Sequence, residues 1–161
     1  MKKIIKIFFL IGFYIGSPLY AESGNQSIEI VGEIKKEIQS NITVKKLYKL
    51  VKTNEFEVYN PWEKKTDVYE GILIDDFIDL FAKKNSYGIR FLAIDGYEVE
   101  FKKSDWENER ILLSLKVNGE FIAIRDRGPM RLVFVDYDKN KQKYKVTLKS
   151  WMWMITKIEV Y

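Results

Sequence analysis

The chain has 161 residues, with 27 Lys and Arg against 23 Asp and Glu, and it contains no Cys and no His. These absences exclude disulfides, Ser-His-Asp and Cys-His nucleophile systems, and zinc, haem or iron–sulfur sites that depend on thiolate or imidazole ligands. A metal would have to be held by oxygen atoms, and acid–base chemistry would fall to carboxylates, Tyr or Lys. No residue is assigned a catalytic or metal-binding role on sequence grounds.

Residues 1–21 have the features of a secretory signal peptide. Three lysines precede an apolar run over 7–15, and residues 17–21 offer a cleavage site that ends in the small residue Ala21. The run is shorter than the about 20 residues that a bilayer span needs, so an uncleaved anchor is the weaker interpretation. We predict a protein exported to the periplasm, with no integral membrane segment after cleavage.

The predicted mature chain, residues 22–161, has the length of a single domain. Removing the three lysines of the leader leaves 24 basic and 23 acidic residues, a net charge of +1. A nucleic-acid-binding protein needs a clustered basic face, which this balance does not indicate. The absence of Cys also excludes a lipid anchor behind the leader.

The first half of this domain predicts strands and helices in alternation. Residues 27–34 predict a strand with a turn or bulge at Gly32, and 55–62 a short strand that Pro61 ends. Residues 41–51 predict a helix with Thr43 as its N-cap, and 69–84 predict a second helix. The apolar stripe of the second helix is Leu73, Phe77, Leu80 and Phe81, and its terminal charges are Asp75, Asp76, Asp79, Lys83 and Lys84.

The second half predicts mainly strands. A turn at Asp95-Gly96 separates two of them, Ser104 begins a helical turn, and Asn118-Gly119 is the pair preferred in a two-residue β-hairpin. The predicted strands cover 89–94, 97–101, 111–117, 120–124, 131–135, 143–148 and 151–161. The predicted strands outnumber the short helices, which indicates one α+β domain.

Three motifs have a structural interpretation that outweighs a functional one. The spacing of Asp136, Asp138 and Asn140 begins like a calcium loop, but it lacks the Gly and Glu of an EF-hand, which favours a polar hairpin loop. The aspartates at the start of the second helix complement the helix dipole. Trp151 and Trp153 alternate with methionines as in a strand buried on both faces, and we keep Trp151 only as a minor pocket candidate.

A basic corner at residues 125–131 has two interpretations. Gly128-Pro129 makes a rigid corner that would hold Arg125 or Arg127 in place, and the guanidinium fork suits phosphate or carboxylate. The alternative is a surface turn in which Asp126 pairs with a neighbouring Arg, which contributes little energy.

Several short motifs in order resemble the oxidoreductase molybdopterin-binding domain, the fold of sulfite oxidase, in its short exported members. They are Asn60-Pro61-Trp62, 69–71 before a helix, 95–97, Asn118-Gly119, 127–133 and 153–160. The resemblance covers residues 28–161 and implies mixed, twisted sheets and a few short helices around a central pocket. In the enzymes that pocket holds a molybdenum–pterin cofactor, with a Cys thiolate on the metal and basic and polar residues on the pterin phosphate.

This sequence departs from the family because it has neither the Cys ligand nor a His near the Gly-Pro motif. The first hypothesis is therefore a non-catalytic module that binds a small ligand, with an anion as one candidate, or a protein partner such as a membrane sensor. The second is a molybdopterin-dependent oxidoreductase whose metal is held without a Cys ligand. A third is a structural protein with its pocket filled by aromatic side chains. The candidate pocket residues are Trp62, Tyr97, Arg125, Arg127 and Arg131.

Overall fold

A computed structural model of the protein describes residues 23–36, 39–138, 140–141 and 148–161. The helices are α1 (Val44–Leu50), α2 (Ile74–Phe81) and α3 (Lys103–Asn108). The strands are β1 (Ser27–Gly32), β2 (Asn41–Thr43), β3 (Asn54–Asn60), β4 (Lys65–Leu73), β5 (Gly88–Ala93), β6 (Glu98–Lys102), β7 (Ile111–Val117), β8 (Glu120–Phe121), β9 (Arg131–Phe134) and β10 (Ile155–Val160). Two 3₁₀ turns cover Ile124–Asp126 and Leu148–Ser150.

The strands form two sheets. The first has the order β2-β1-β10-β5-β6, and its last strand in the chain, β10, lies parallel to β1 and antiparallel to β5. The second has the order β3-β4-β7-β8, and β9 also pairs with β7. Mixed sheets with a few short helices confirm the predicted α+β class.

One hydrophobic core joins the two sheets. In β1 the alternate residues Ile28 and Ile30 are buried in it, and Ile30 lies opposite the buried Ile158 of β10. Leu113 and Leu132 are opposite one another in the second sheet and are also buried. Because these residues belong to one contiguous cluster, the described residues form a single packed unit.

Predictions that depend on local chemistry are confirmed. Thr43 caps α1 by accepting a hydrogen bond from the Lys46 N–H at 3.2 Å. Asn118 and Gly119 adopt φ values of 50° and 83°, as the two-residue hairpin between β7 and β8 requires. Gly32 ends β1 with φ 89°. The helical turn predicted from Ser104 is α3, which begins one residue earlier.

The helix predicted over 69–84 is partly wrong. Its first part is the end of β4, which pairs with β3 on one side and β7 on the other, and α2 begins only at Ile74. The buried stripe of α2 is Ile74, Phe77 and Phe81, whereas Leu80 is 41% exposed. Asp75 and Asp76 do lie in the first turn, but the two lysines follow the helix end.

The strand predicted over 151–161 is also partly wrong, because β10 begins at Ile155. Met154 has a left-handed backbone with φ 59°, which a continuous strand does not allow. Its N–H donates to the Arg127 carbonyl at 3.1 Å. Trp151 is buried and Trp153 is half-buried. The strand predicted over 143–148 falls almost wholly outside the described residues.

Within the described part of the chain, no helix is long and apolar enough to cross a membrane.

Asp136, the first residue of the calcium-like motif, accepts a hydrogen bond from Arg110 Nε at 2.8 Å.

Candidate functional site: two clefts that share Trp62

The basic corner of the sequence opens onto a surface cleft of about 580 Å³, which we call the arginine cleft. It lies between the turn after β3 and the segment that joins β8 to β9. Its lining side chains are Trp62, Glu63, Lys65, Val117, Glu120, Phe121, Ile122, Ala123, Arg125, Asp126, Arg127 and Arg131. Four cations and three carboxylates therefore face the same space.

The edge of this cleft has a tightly constrained backbone. Arg127 follows the 3₁₀ turn with a left-handed conformation, φ 62° and ψ 29°. The next residue approaches the chain so closely that a Cβ on Gly128 would lie 2.1 Å from the Ile122 carbonyl oxygen. The Gly128–Pro129 peptide bond is cis. The corner predicted from Gly-Pro thus fixes the backbone from which Arg127 projects.

The Arg127 side chain is held in position without being saturated by hydrogen bonds. Its guanidinium carbon lies 5.1 Å from the centre of the Trp153 ring, a cation–π contact. Its nearest carboxylate, Glu63, is 3.7 Å from Nη1, too far for a hydrogen bond, and the side chain is 49% exposed. Among the described residues Arg127 has no side-chain hydrogen bond, so its donors remain available to an anion.

Arg131 is in the opposite situation. Its side chain is only 10% exposed, and Nη1 donates to Glu63 Oε1 at 2.8 Å. Nη2 donates to the backbone carbonyl of Asp126. Arg131 therefore ties β9 to the walls of the cleft, and its charge is already balanced by Glu63.

Arg125 is the most exposed of the three arginines. Its Nε lies 3.5 Å from Asp126 Oδ2, with both side chains largely in solvent. This ion pair between adjacent residues is the one expected of a surface turn. Each of the two interpretations therefore applies to part of the basic corner. Arg125 belongs to the turn and Arg127 to the cleft edge.

The opposite wall of the cleft depends on Asn60. Its side-chain oxygen accepts hydrogen bonds from the N–H groups of Trp62 at 2.9 Å and Glu63 at 3.2 Å. Its amide donates to the hydroxyl of the fully buried Tyr69 at 3.0 Å. Burial raises the pKa of Tyr69, so this hydroxyl stays neutral as an acceptor. Asn60 therefore fixes the turn that presents Trp62 and Glu63.

A second, aromatic cleft of about 330 Å³ lies on the other side of Trp62. Its lining side chains are Trp62, Ala93, Asp95, Tyr97, Leu148, Lys149, Trp151, Met152 and Trp153. Trp62 and Trp153 meet edge to face with their ring centres 6.1 Å apart. Since Arg127 contacts Trp153, the boundary between the two clefts consists of Trp62, Trp153 and Arg127.

Tyr97 belongs to this second cleft. Its hydroxyl donates to the Lys149 carbonyl at 2.8 Å, and its N–H donates to Asp95 at 3.1 Å. The side chain is half exposed and connects the turn after β5 to the segment before β10. The structure thus brings four of the five candidates, Trp62 and the three arginines, to the arginine cleft, and places Tyr97 beyond Trp62.

Sequence reasoning missed Glu63, Asn60 and Trp153 as parts of the site. The signal for the first two was the Asn60-Pro61-Trp62 motif, since an Asn before such a turn commonly caps the following N–H groups. Trp153 was interpreted as a core residue because it was assigned to a strand. No local signal marks its contact with Arg127, which lies 26 positions earlier in the chain.

Backbone strain is concentrated at this site. Within the described ranges four non-glycine residues have positive φ, and three of them, Lys64, Arg127 and Met154, lie in the segments that carry Trp62, Arg127 and Trp153. Such conformations cost about 1 kcal/mol or more each, and they cluster at ligand-binding sites. The strain is an indication of function that is independent of the cleft volumes.

A second cation lies on aromatic rings behind the arginine cleft. Lys116 Nζ lies 4.1 Å from the ring centre of Tyr48 and 5.0 Å from that of Phe121. Glu70 is 3.6 Å from this ammonium and accepts hydrogen bonds from Tyr48 at 2.6 Å and Thr53 at 3.0 Å. Burial alone would raise the pKa of Glu70, but these partners outweigh it and hold that pKa below its ordinary value.

The arginine cleft combines cations, carboxylates and aromatic rings in its lining. Within the described residues, no group of three or more Asp, Glu, His or Cys is placed to hold a metal ion. Two of the three carboxylates of the arginine cleft are engaged, Glu63 with Arg131 and Lys65, and Asp126 with Arg125. What the geometry offers is a held guanidinium beside exposed aromatic rings.

No family model matches the chain, and no curated protein matches it. Among solved structures, the chain is similar to the sulfane dehydrogenase SoxCD from Paracoccus pantotrophus, with a TM-score of 0.56 and 13% identity. The match covers 89% of this chain and 40% of that chain, so the chain spans less than half the length of this relative. At this identity the likeness is one of fold, and it supports a distant fold relationship.

Proposed function

We propose that the protein is a non-catalytic binding protein that holds a small anionic ligand in the arginine cleft, with Arg127 as the anion's main contact. The observation that carries this proposal is the state of the Arg127 guanidinium. It is positioned by Trp153 and a constrained backbone, is half exposed at a cleft, and has donors that are not used within the described residues. A guanidinium in this state can bind carboxylate or another oxyanion through paired hydrogen bonds.

The proposal extends to the fold, as a short variant of the sulfite oxidase-type molybdopterin-binding domain. The distant fold relationship with sulfane dehydrogenase SoxCD supports this, together with the order of motifs along the chain. We infer that molybdopterin is not the ligand, because the residues present do not fit it. The chain has no thiolate for the metal, Glu63 already neutralises Arg131, and Glu120 and Asp126 add negative charge to the lining of the cleft.

A titration with small anions tests the proposal. The full chain is expressed in cells that make molybdenum cofactor, and its binding of acetate, sulfate, phosphate and thiosulfate is measured by calorimetry. We expect one of these anions to bind, and Arg127→Gln to weaken it about tenfold or more, the loss of one charged hydrogen-bonding partner. Arg110→Gln is the matched control, because Arg110 is 53% exposed and lies outside the cleft lining.

Two results would contradict the proposal. Equal affinities for the parent chain and Arg127→Gln would show that the cleft edge is not the anion site. Near-stoichiometric molybdenum and pterin in the purified protein would replace it with the alternative, an oxidoreductase whose metal is held without a Cys ligand.

The cellular setting is part of the same proposal. We propose that residues 1–21 are removed on export, that the protein works in the periplasm, and that it reports its ligand to a membrane sensor. The leader motif supports the removal and the export, and the absence of Cys excludes a lipid anchor on the exported protein. Mass spectrometry of the exported protein would identify its N-terminus, and a start at Glu22 is the expected result.

A further inference from the structure

We propose that the ligand is an aryl carboxylate, which places its ring in the aromatic cleft and its carboxylate on Arg127. The inference rests on the proposed function and adds a second subsite to it. It follows from the way the two clefts meet, not from either cleft alone.

The two clefts are adjacent and have one side chain in common. Trp62 lines both, is 51% exposed, and contacts Trp153 edge to face. Arg127 lines the arginine cleft while its guanidinium lies against Trp153, which lines the other. A ring against Trp62 and Trp153 would therefore be within one short linker of the guanidinium.

The lining of the aromatic cleft favours a hydrocarbon ring over a polar heterocycle. Seven of its nine lining residues are Trp, Tyr, Leu, Met or Ala, and the polar ones are Asp95 and Lys149. Asp95 already accepts the Tyr97 N–H, and the Tyr97 hydroxyl is engaged with the Lys149 carbonyl. A ring with many donors and acceptors would leave them unpaired there, which costs about 1–3 kcal/mol for each group.

The charge at the boundary favours an anion as the second group of the ligand. Arg131 is already paired with Glu63, whereas the Arg127 guanidinium lies 5.1 Å from the Trp153 ring centre and has no side-chain hydrogen bond among the described residues. A planar carboxylate matches the guanidinium fork in a bidentate pair. The volume of the aromatic cleft, about 330 Å³, is at the low end for small-molecule sites and suits one small ring system.

Three probes separate the two ends of the ligand: 1-naphthylacetate, acetate and the neutral 1-naphthaleneethanol. Each is titrated into the full chain labelled with ¹⁵N at the tryptophan indoles. We expect 1-naphthylacetate to bind at least about tenfold more tightly than either of the others, since each end adds its own contacts. The indole signals of Trp62 and Trp153 should move, and that of Trp106, which lines neither cleft, should not.

Two variants test which side chain contacts the carboxylate of the ligand and which contacts its ring. Arg127→Gln should reduce 1-naphthylacetate to the affinity of the alcohol, and Trp62→Leu should reduce it to that of acetate. Tyr87→Leu is the control for Trp62→Leu, because Tyr87 is an exposed ring that lines neither cleft. Circular dichroism of each variant shows whether it folds, and Trp153→Leu repeats the test on the other ring of the boundary.

The outcomes distinguish the two proposals. Equal affinities for 1-naphthylacetate and acetate, both lost in Arg127→Gln, would overturn the aryl subsite and leave the anion site standing. Equal affinities for 1-naphthylacetate and the alcohol, both unchanged in Arg127→Gln, would overturn both. No binding of any probe would also overturn both.

Discussion

Two of the cations that lie against aromatic rings, Lys116 and Arg127, differ in what surrounds them. Lys116 contacts Tyr48 and Phe121, pairs with Glu70, and is 17% exposed. Arg127 contacts Trp153, lies 3.7 Å from Glu63, and is 49% exposed. Phe121, which Lys116 contacts, also lines the arginine cleft to which Arg127 belongs.

The difference indicates what each cation is for. Around Glu70 every partner is supplied by the protein, so the cluster holds α1, β4 and β7 together and leaves nothing for a ligand. At Arg127 the backbone is strained and the donors are not used within the described residues. A loosely paired charge on a strained backbone, as at Arg127, is the pattern expected of a binding site.

The largest expected effect comes from breaking the Glu70 cluster. Glu70→Ala should lower the free energy of unfolding by about 3 kcal/mol, because it leaves the largely buried Lys116 without its counter-ion. Urea denaturation measures the loss, and Glu57→Ala, an exposed carboxylate on the neighbouring strand, is the control. Adding Lys116→Met should recover part of the stability. A loss no larger than that of Glu57→Ala would show that the cluster is not structural.

The same cluster should make stability depend on acid. The folded protein holds the Glu70 proton less tightly than the unfolded chain, because the pKa lies below its ordinary value of 4.5. Its contribution is therefore present above that value and is lost as pH falls through the folded pKa. The difference in urea midpoint between the parent chain and Glu70→Gln should become smaller as the pH is lowered from about 7 to about 3. A constant difference would contradict the lowered pKa.

A smaller loss is expected at the wall of the arginine cleft. Asn60→Ala removes the acceptor for the Trp62 and Glu63 N–H groups and should cost about 2 kcal/mol. Asn60→Asp keeps the acceptor and should cost less. Both are compared by urea denaturation and by the indole signal of Trp62. An unchanged indole signal in Asn60→Ala would mean that Asn60 does not position the ring.

The smallest effect on stability is expected at Arg127 itself. Arg127→Gln should change the free energy of unfolding by no more than about 0.5 kcal/mol, as for other exposed, loosely paired charges. Arg127→Gly should be more stable than Arg127→Gln by about 1 kcal/mol, because glycine adopts φ of 62° without the strain of a side chain. A large loss in Arg127→Gln, measured by urea denaturation, would make this residue structural like Lys116.

The parts of the fold that could be predicted are those decided by neighbouring residues. A threonine before an amphipathic run caps a helix, and Asn-Gly between two apolar runs makes a hairpin, whatever the rest of the chain does. β4 could not be predicted in this way. Its apolar residues Tyr69, Ile72 and Leu73 directly precede α2, and only the pairing of β4 with β3 and β7 makes them part of a strand.

The candidate site was predictable in composition but not in detail. Gly-Pro beside arginines located the corner, and Asn-Pro-Trp located the opposite wall. Glu63 neutralises Arg131, and Trp153 contacts Arg127. Both contacts join distant parts of the chain. Local patterns carry no information about such pairings, since the tertiary fold decides them.

The measurement that tests the central claim most directly is an acetate titration of the full chain, followed by the side-chain Nε signals of its arginines. We predict that the Arg127 signal shifts and saturates, while those of Arg131 and Arg110, which are engaged with Glu63 and Asp136, stay in place. An unmoved Arg127 signal, or an equal drift of all three, would contradict the claim that Arg127 holds the anion.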